Sequence, residues 1–138
     1  IAMADNTDRF QMVAEFVAAN DLIESNVVGA LNSSYAFYLG LIDGGAMPAG
    51  MTPDVALQEV WTQEPDIRVN TTEWVYSFLM LAYQPLEEEE LQAYIDFSSS
   101  DAGQALNDAL FQAFAGMFDD VSRALGLASS RFMLSQDL

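Results

Sequence analysis

The sequence predicts an all-α fold: a single domain spanning residues 1–138, built of about six helices packed as antiparallel hairpins. Three observations carry this. Apolar residues recur at helical spacing almost from end to end, and no stretch alternates with period two for long enough to make a strand. Helix-start patterns recur ahead of the apolar runs, with Asp, Thr, Asn or Ser in the capping position. The chain has 138 residues, 51% hydrophobic and 18% charged, which is enough for one sizeable core and more apolar than a disordered chain.

The first helix places Phe10, Val13, Ala14 and Val17 on one stripe, with Asp8, Arg9, Glu15 and Asn20 elsewhere. Asp21-Leu-Ile-Glu24 has the form of a capping box, with Asp21 as N-cap and Glu24 reaching back. It opens a long helix to about Asp43, which Gly44-Gly45 can end in left-handed geometry. Residues 44–51, Gly-Gly-Ala-Met-Pro-Ala-Gly-Met, form the one clear loop. Thr52-Pro53-Asp54 restarts a helix, with Thr as cap and Pro at the first helical position. That helix carries Val55, Leu57, Val60 and Trp61, and is expected to stop before Pro65.

Asn70-Thr-Thr-Glu73 is a second capping-box pattern, opening an apolar helix through Tyr83. Pro85 separates it from a helix led by Glu87–Glu90. The last helix begins after Ser100, a good N-cap. Gln104, Asp108, Gln112, Asp119 and Arg123 trace its narrow polar stripe. Leu106, Leu110, Phe114, Met117 and Val121 lie opposite, flanked by Phe111 and Phe118, an apolar face wide enough for a central helix. Gly126 is its expected stop. The runs Tyr35–Ile42 and Trp74–Tyr83 read as elements buried on most sides, and neither approaches the ~20 residues that would span a bilayer.

The four glutamates are the densest charge in the chain, so they are the first candidate site. Consecutive helical residues turn by about 100° each, so only Glu87 and Glu90 share a face. In a first turn, free backbone N–H groups and the helix dipole favour carboxylates by a few tenths to ~1 kcal/mol each. A calcium site needs six to eight oxygens, usually from a looped backbone, and no such loop motif is present. The glutamates read as a helix start. Asp119 and Asp120 read as a solvated face, and Asp101 as a cap residue near Asp96. Tyr35, Tyr38, Tyr76, Tyr83 and Tyr94 read as core residues with their hydroxyls at an edge, and Met47 and Met51 as a flexible apolar cover beside the loop.

Composition excludes much chemistry. There is no Cys, no His and no Lys. That removes the usual zinc, copper, haem and iron–sulfur ligands, the Ser-His-Asp triad, the Schiff base and the P-loop lysine. An enzyme would have to work through a carboxylate pair or a bound divalent cation. No catalytic, cofactor-binding or metal-ligating residue is assigned, and no cofactor is expected. The formal charge is −17, from 21 acids against Arg9, Arg68, Arg123 and Arg131. Phosphate backbones and anionic lipid surfaces would repel such a chain, so nucleic acid is not an expected partner. The start, Ile1-Ala-Met-Ala, suggests a mature form whose leader has been removed.

One segment resembles a known family. Leu86, Glu90 and Leu91, then five residues, then Phe97, Ser100 and Gly103 are similar to the signature of a bacterial family catalogued as domain of unknown function 2059. That signature is L-T-x-x-E-L, five residues, F-Y-x-S-P-x-G. Here Glu87 stands for the capping Thr, Ser98 for the aromatic and Asp101 for Pro. The similarity covers about residues 70–125. It implies a helix–turn–helix joint in an exported, periplasmic helical protein, and it implies no activity.

The function expected is therefore a non-catalytic, periplasmic protein acting by protein–protein interaction or self-association, as a homodimer or with another protein. The alternative is binding or sensing of a hydrophobic small molecule held between residues 35–42 and 74–83.

Overall fold

A computed structural model describes residues 2–136, with side chains from Asp8 to Ser135. It is all-helical among the described residues: α1 (Ala2–Ala19), α2 (Leu22–Asp43), α3 (Pro53–Thr62), α4 (Glu64–Ala82), α5 (Glu88–Ser99) and α6 (Asp101–Gln136). The all-α expectation of about six helices holds. Packing groups the chain into two units: Ile1–Asn26 with Arg68–Phe111, and Val27–Ile67 with Gln112–Leu138. Helices α2, α4 and α6 each contribute to both units.

The first unit is built on α1, α4 and α5. Val13, Phe16 and Val17 of α1 are buried with Val75 and Leu79 of α4 and with Leu91 and Ile95 of α5. The spacings are three and four residues, which keep each set on one helix face. Phe16 stacks on Tyr94 and meets Tyr83 edge-on, both at 5.2 Å between ring centroids. The Arg9 guanidinium donates to the Tyr83 and Leu86 carbonyls, at 2.9 and 2.8 Å, placing a cation where the end of α4 leaves acceptors free.

Two polar side chains from α6 tie its first turns to this unit. Gln104 Nε2 donates to the Ala19 and Ser98 carbonyls, and Asn107 Nδ2 donates to the Asn20 carbonyl. At the α5–α6 joint, Ser100 Oγ accepts from the Gly103 amide at 3.1 Å, so Ser100 is the predicted cap. Gly103 is buried against the Phe97 carbonyl and Ser98, where a Cβ would collide with backbone. The close approach expected of Gly103 is present.

The second unit holds Val27, Leu31, Ala36 and Leu41 of α2 and Ala56 and Val60 of α3 at its interior. Here α2 and α6 touch backbone to backbone. A Cβ on Gly40 would strike the Arg123 carbonyl, and one on Gly126 would strike the Phe37 carbonyl. Gly44 meets the fully buried Ser130. Small residues four apart on each segment, Gly40/Gly44 and Gly126/Ser130, make that approach possible. Arg123 bonds Asp43 at 2.6 Å beside it.

Element ends follow local chemistry. Gly45 is left-handed at φ 77°, with Gly45 N–H donating to the Ile42 carbonyl and Ala46 N–H to the Leu41 carbonyl, which closes the end of α2 as expected. Thr52 caps α3 through Val55 N–H, with Pro53 at its start.

Three expectations about element ends are corrected. Asp21 does sit at the start of α2, but at φ 48°, and Glu24 turns to Arg68 at 2.8 Å instead of closing a capping box. The connection from α1 is two residues long, and the left-handed Asp21 makes the reversal. Helix α4 starts at Glu64, not near Asn70. Pro65 falls in its first turn, where a missing N–H costs nothing, and the break comes at Gln63. The Thr72 hydroxyl then bonds the Arg68 carbonyl inside the helix, so Asn70–Glu73 is not a start. Helix α6 passes through Gly126 to Gln136, because that glycine serves the α2 contact and not a stop.

Candidate functional site

Helix α6 turns the expected arrangement around. Within the second unit it lays Gly126 and Ser130 against α2, with Arg123 alongside. At 100° per residue, positions 119, 123, 126 and 130 span an arc of about 60°. The apolar face lies on the other side and is open. Phe114, Met117, Phe118, Val121, Leu125 and Phe132 are each between 48% and 65% exposed. They fall within an arc of about 100° along about 27 Å of helix. Ala124 and Ala128, also exposed, lie along the edge of the row nearest Asp120. The sequence had identified this face correctly and assigned it to the interior. Contacts decided otherwise: the small-residue face allows backbone-to-backbone packing on α2, which the Phe-rich face would prevent.

In the first unit the run Trp74–Tyr83 is likewise not buried on most sides. Val75 and Leu79 enter the core, whereas Trp74, Phe78 and Leu81 are exposed, Leu81 at 71%. Trp74 and Phe78 stack at 5.5 Å between centroids. Leu106 and Leu110 of α6 are half-exposed in the same unit. On α3, Val55, Leu57 and Trp61 are exposed as well. Isolated apolar residues on a surface are ordinary, but a continuous row is the usual mark of an interaction face.

The run Tyr35–Ile42 stands closer to its expectation, with Ala36, Gly40 and Leu41 buried and the rest half-buried. A solvent-open depression of about 370 Å³ lies beside it, lined by Ser33, Ser34, Phe37, Tyr38, Gln63 and Ser122. Four hydroxyls and an amide around one Phe ring suit water better than a hydrophobic ligand.

The glutamate run sits at a helix start. Glu87 is the N-cap of α5, in extended geometry, and Glu88, Glu89 and Glu90 form the first turn. Glu90 Oε2 accepts from the Glu87 amide at 2.9 Å, one half of a capping box. All four are exposed. Among the described residues no three Asp or Glu side chains converge as metal ligands would. Asp119 departs from its reading as a solvated residue: its Oδ1 is buried and has no hydrogen-bond partner, while Asp120 is exposed. Asp96 accepts from Gln92 Nε2 at 2.9 Å.

The Tyr83 phenol is perturbed. Burial, and secondarily the neighbouring Tyr94, raise its pKa above the ordinary value of 10.0. Tyr94 itself is about half exposed despite its contact with Phe16. Among the described residues, no helix is long and apolar enough to cross a membrane.

No protein-family model, no curated protein and no solved structure matches this chain significantly.

Proposed function

We propose that this chain is a non-catalytic, exported helical protein that works by binding protein through the open apolar face of α6. The observation that carries the reading is the division of labour on that helix. Its small residues face α2, and its Phe, Met, Val and Leu side chains stand free. Six side chains of about 150–200 Å², each roughly half exposed, amount to some 500 Å² of contiguous apolar surface. Leaving that in water is unfavourable by about 25 cal/mol per Å². A partner surface would recover most of it. Residence in the periplasm belongs to the same proposal, on the resemblance of Leu86–Gly103 to a family of exported helical proteins.

The test is Val121→Asp, which places a charge at the middle of the row without touching α2. Wild type is expected to exceed monomer mass in light scattering between micromolar and about 100 μM protein. The variant should be monomeric, with unchanged helical circular dichroism. A wild type that is monomeric throughout, and that binds an apolar dye no more than the variant does, removes the reading.

A further inference from the structure

Resting on that reading, we infer that the occupant of the α6 face is a second copy of this chain, packed antiparallel on the same face about a twofold axis near Leu125. The edge of the apolar row carries its own charge complement. Asp120 and Arg131 are both exposed and lie eleven residues apart, three helical turns with about 20° of drift, on the same flank. Neither side chain makes a hydrogen bond or ion pair among the described residues. The other three cations are engaged: Arg9 with the Tyr83 and Leu86 carbonyls, Arg68 with Glu24, and Arg123 with Asp43.

In a twofold antiparallel pair, a residue on one flank meets that same flank of the other copy. Positions equally far from the axis, on opposite sides of it, come together. Centring the axis between 125 and 126 sets Asp120 of each copy beside Arg131 of the other, twice. The same register, shifted by less than one residue, brings Phe118 against Phe132 of the second copy and Leu125 against Leu125 on the opposite flank. Ala124 and Ala128 lie close to the axis along the helix, on the edge nearest Asp120, where small side chains let two helices approach. Charge, aromatic bulk and small residues thus agree on one register. The area is adequate: about 500 Å² from each copy makes roughly 1,000 Å², the size at which specific interfaces begin. A partner of different sequence would have to supply this pattern, whereas the chain already carries its own complement. For a chain of charge −17, the Asp120–Arg131 pairs also place opposite charges where two copies approach.

The experiment is sedimentation of the full chain at low and moderate salt, with Asp120→Arg, Arg131→Asp and the combined variant. Each single change turns both cross-pairs into like charges and is expected to weaken the dimer tenfold or more at low salt. The combined change restores opposite charges and should return affinity to within about threefold of wild type. Independently, Leu125→Cys, in a chain without native cysteine, should oxidise to a covalent dimer much faster than Trp61→Cys. A wild type that self-associates, while charge exchange has no effect and Leu125→Cys does not cross-link preferentially, overturns the register and leaves the interaction reading standing. A wild type that remains monomeric overturns the twofold pair, and the dye comparison with Val121→Asp then decides whether the interaction reading survives.

Discussion

At the scale of single residues, five positions make measurable forecasts. Gly103 and Gly126 are both buried where a Cβ would meet a backbone carbonyl, Phe97 and Phe37 respectively. Backbone cannot step aside as a side chain can, so Gly103→Ala and Gly126→Ala should each destabilise by about 1–3 kcal/mol in chemical denaturation. Gly116 is the control, in the same helix with open space around it. There alanine should stabilise by up to about 1 kcal/mol through helix propensity. Ser100→Ala should cost about 1 kcal/mol, the worth of a lost cap on the Gly103 amide. Tyr83 makes a forecast in pH. Its folded pKa is raised, chiefly by burial, above the value near 10.0 that it has when unfolded. Its contribution is therefore whole below pH 10 and is lost as pH rises through the higher folded value. Denaturation between pH 8 and 11 should show Tyr83→Phe losing less stability than wild type over the alkaline half.

At the scale of elements, α5 answers what its glutamates are for. Glu90 spends one carboxylate oxygen on the Glu87 amide, and Glu88 and Glu89 extend into solvent around the first turn. The arrangement satisfies a helix end and leaves no converging oxygens. Low-millimolar calcium should therefore shift the melting temperature no more than sodium chloride of equal ionic strength. Glu87→Gln with Glu90→Gln should leave the two salts as alike as before. A calcium-specific rise of many degrees, abolished by that pair of substitutions, would make the run a site. Helix α4 makes an optical forecast. Trp61 of α3 and Trp74 of α4 are both 59% exposed, so tryptophan emission from isolated chains should be red-shifted and readily quenched by acrylamide. Burial of either ring on self-association would show as a concentration-dependent blue shift.

At the scale of the molecule, charge dominates. Twenty-one acids face four arginines, and three of those arginines are already engaged within the chain. Repulsion among the remaining carboxylates is screened over about 8 Å at physiological salt. Thermal stability should accordingly rise between 10 and about 150 mM sodium chloride, and a melting temperature that falls over that range would show repulsion to be minor. Self-association should respond in the same direction: the net charges of two chains repel at long range, while the apolar row and the two Asp120–Arg131 contacts act only at contact.

The sequence by itself determined the approximate number of helices and most of the points at which those helices begin and end. Capping by Thr52 and Ser100, the left-handed Gly45 and the first turn at Glu87 depend on neighbours within a few residues, so they are legible in order along the chain. It also determined that α6 has a wide apolar face, since that is a matter of spacing. It did not determine where that face points. The polar–apolar pattern assigns Phe114 to the interior and Gly126 to an end, and both assignments assume that the larger apolar surface must be buried first. Tertiary structure decided for the opposite face, because Gly126 and Ser130 of α6 meet Gly40 and Gly44, 82 to 90 residues away, in a backbone-to-backbone contact. Long-range fit between small residues has no periodic signature. The Asp21 turn, the Glu24–Arg68 bond and the continuation of α4 through Asn70 were hidden for the same reason: each is settled by how segments meet.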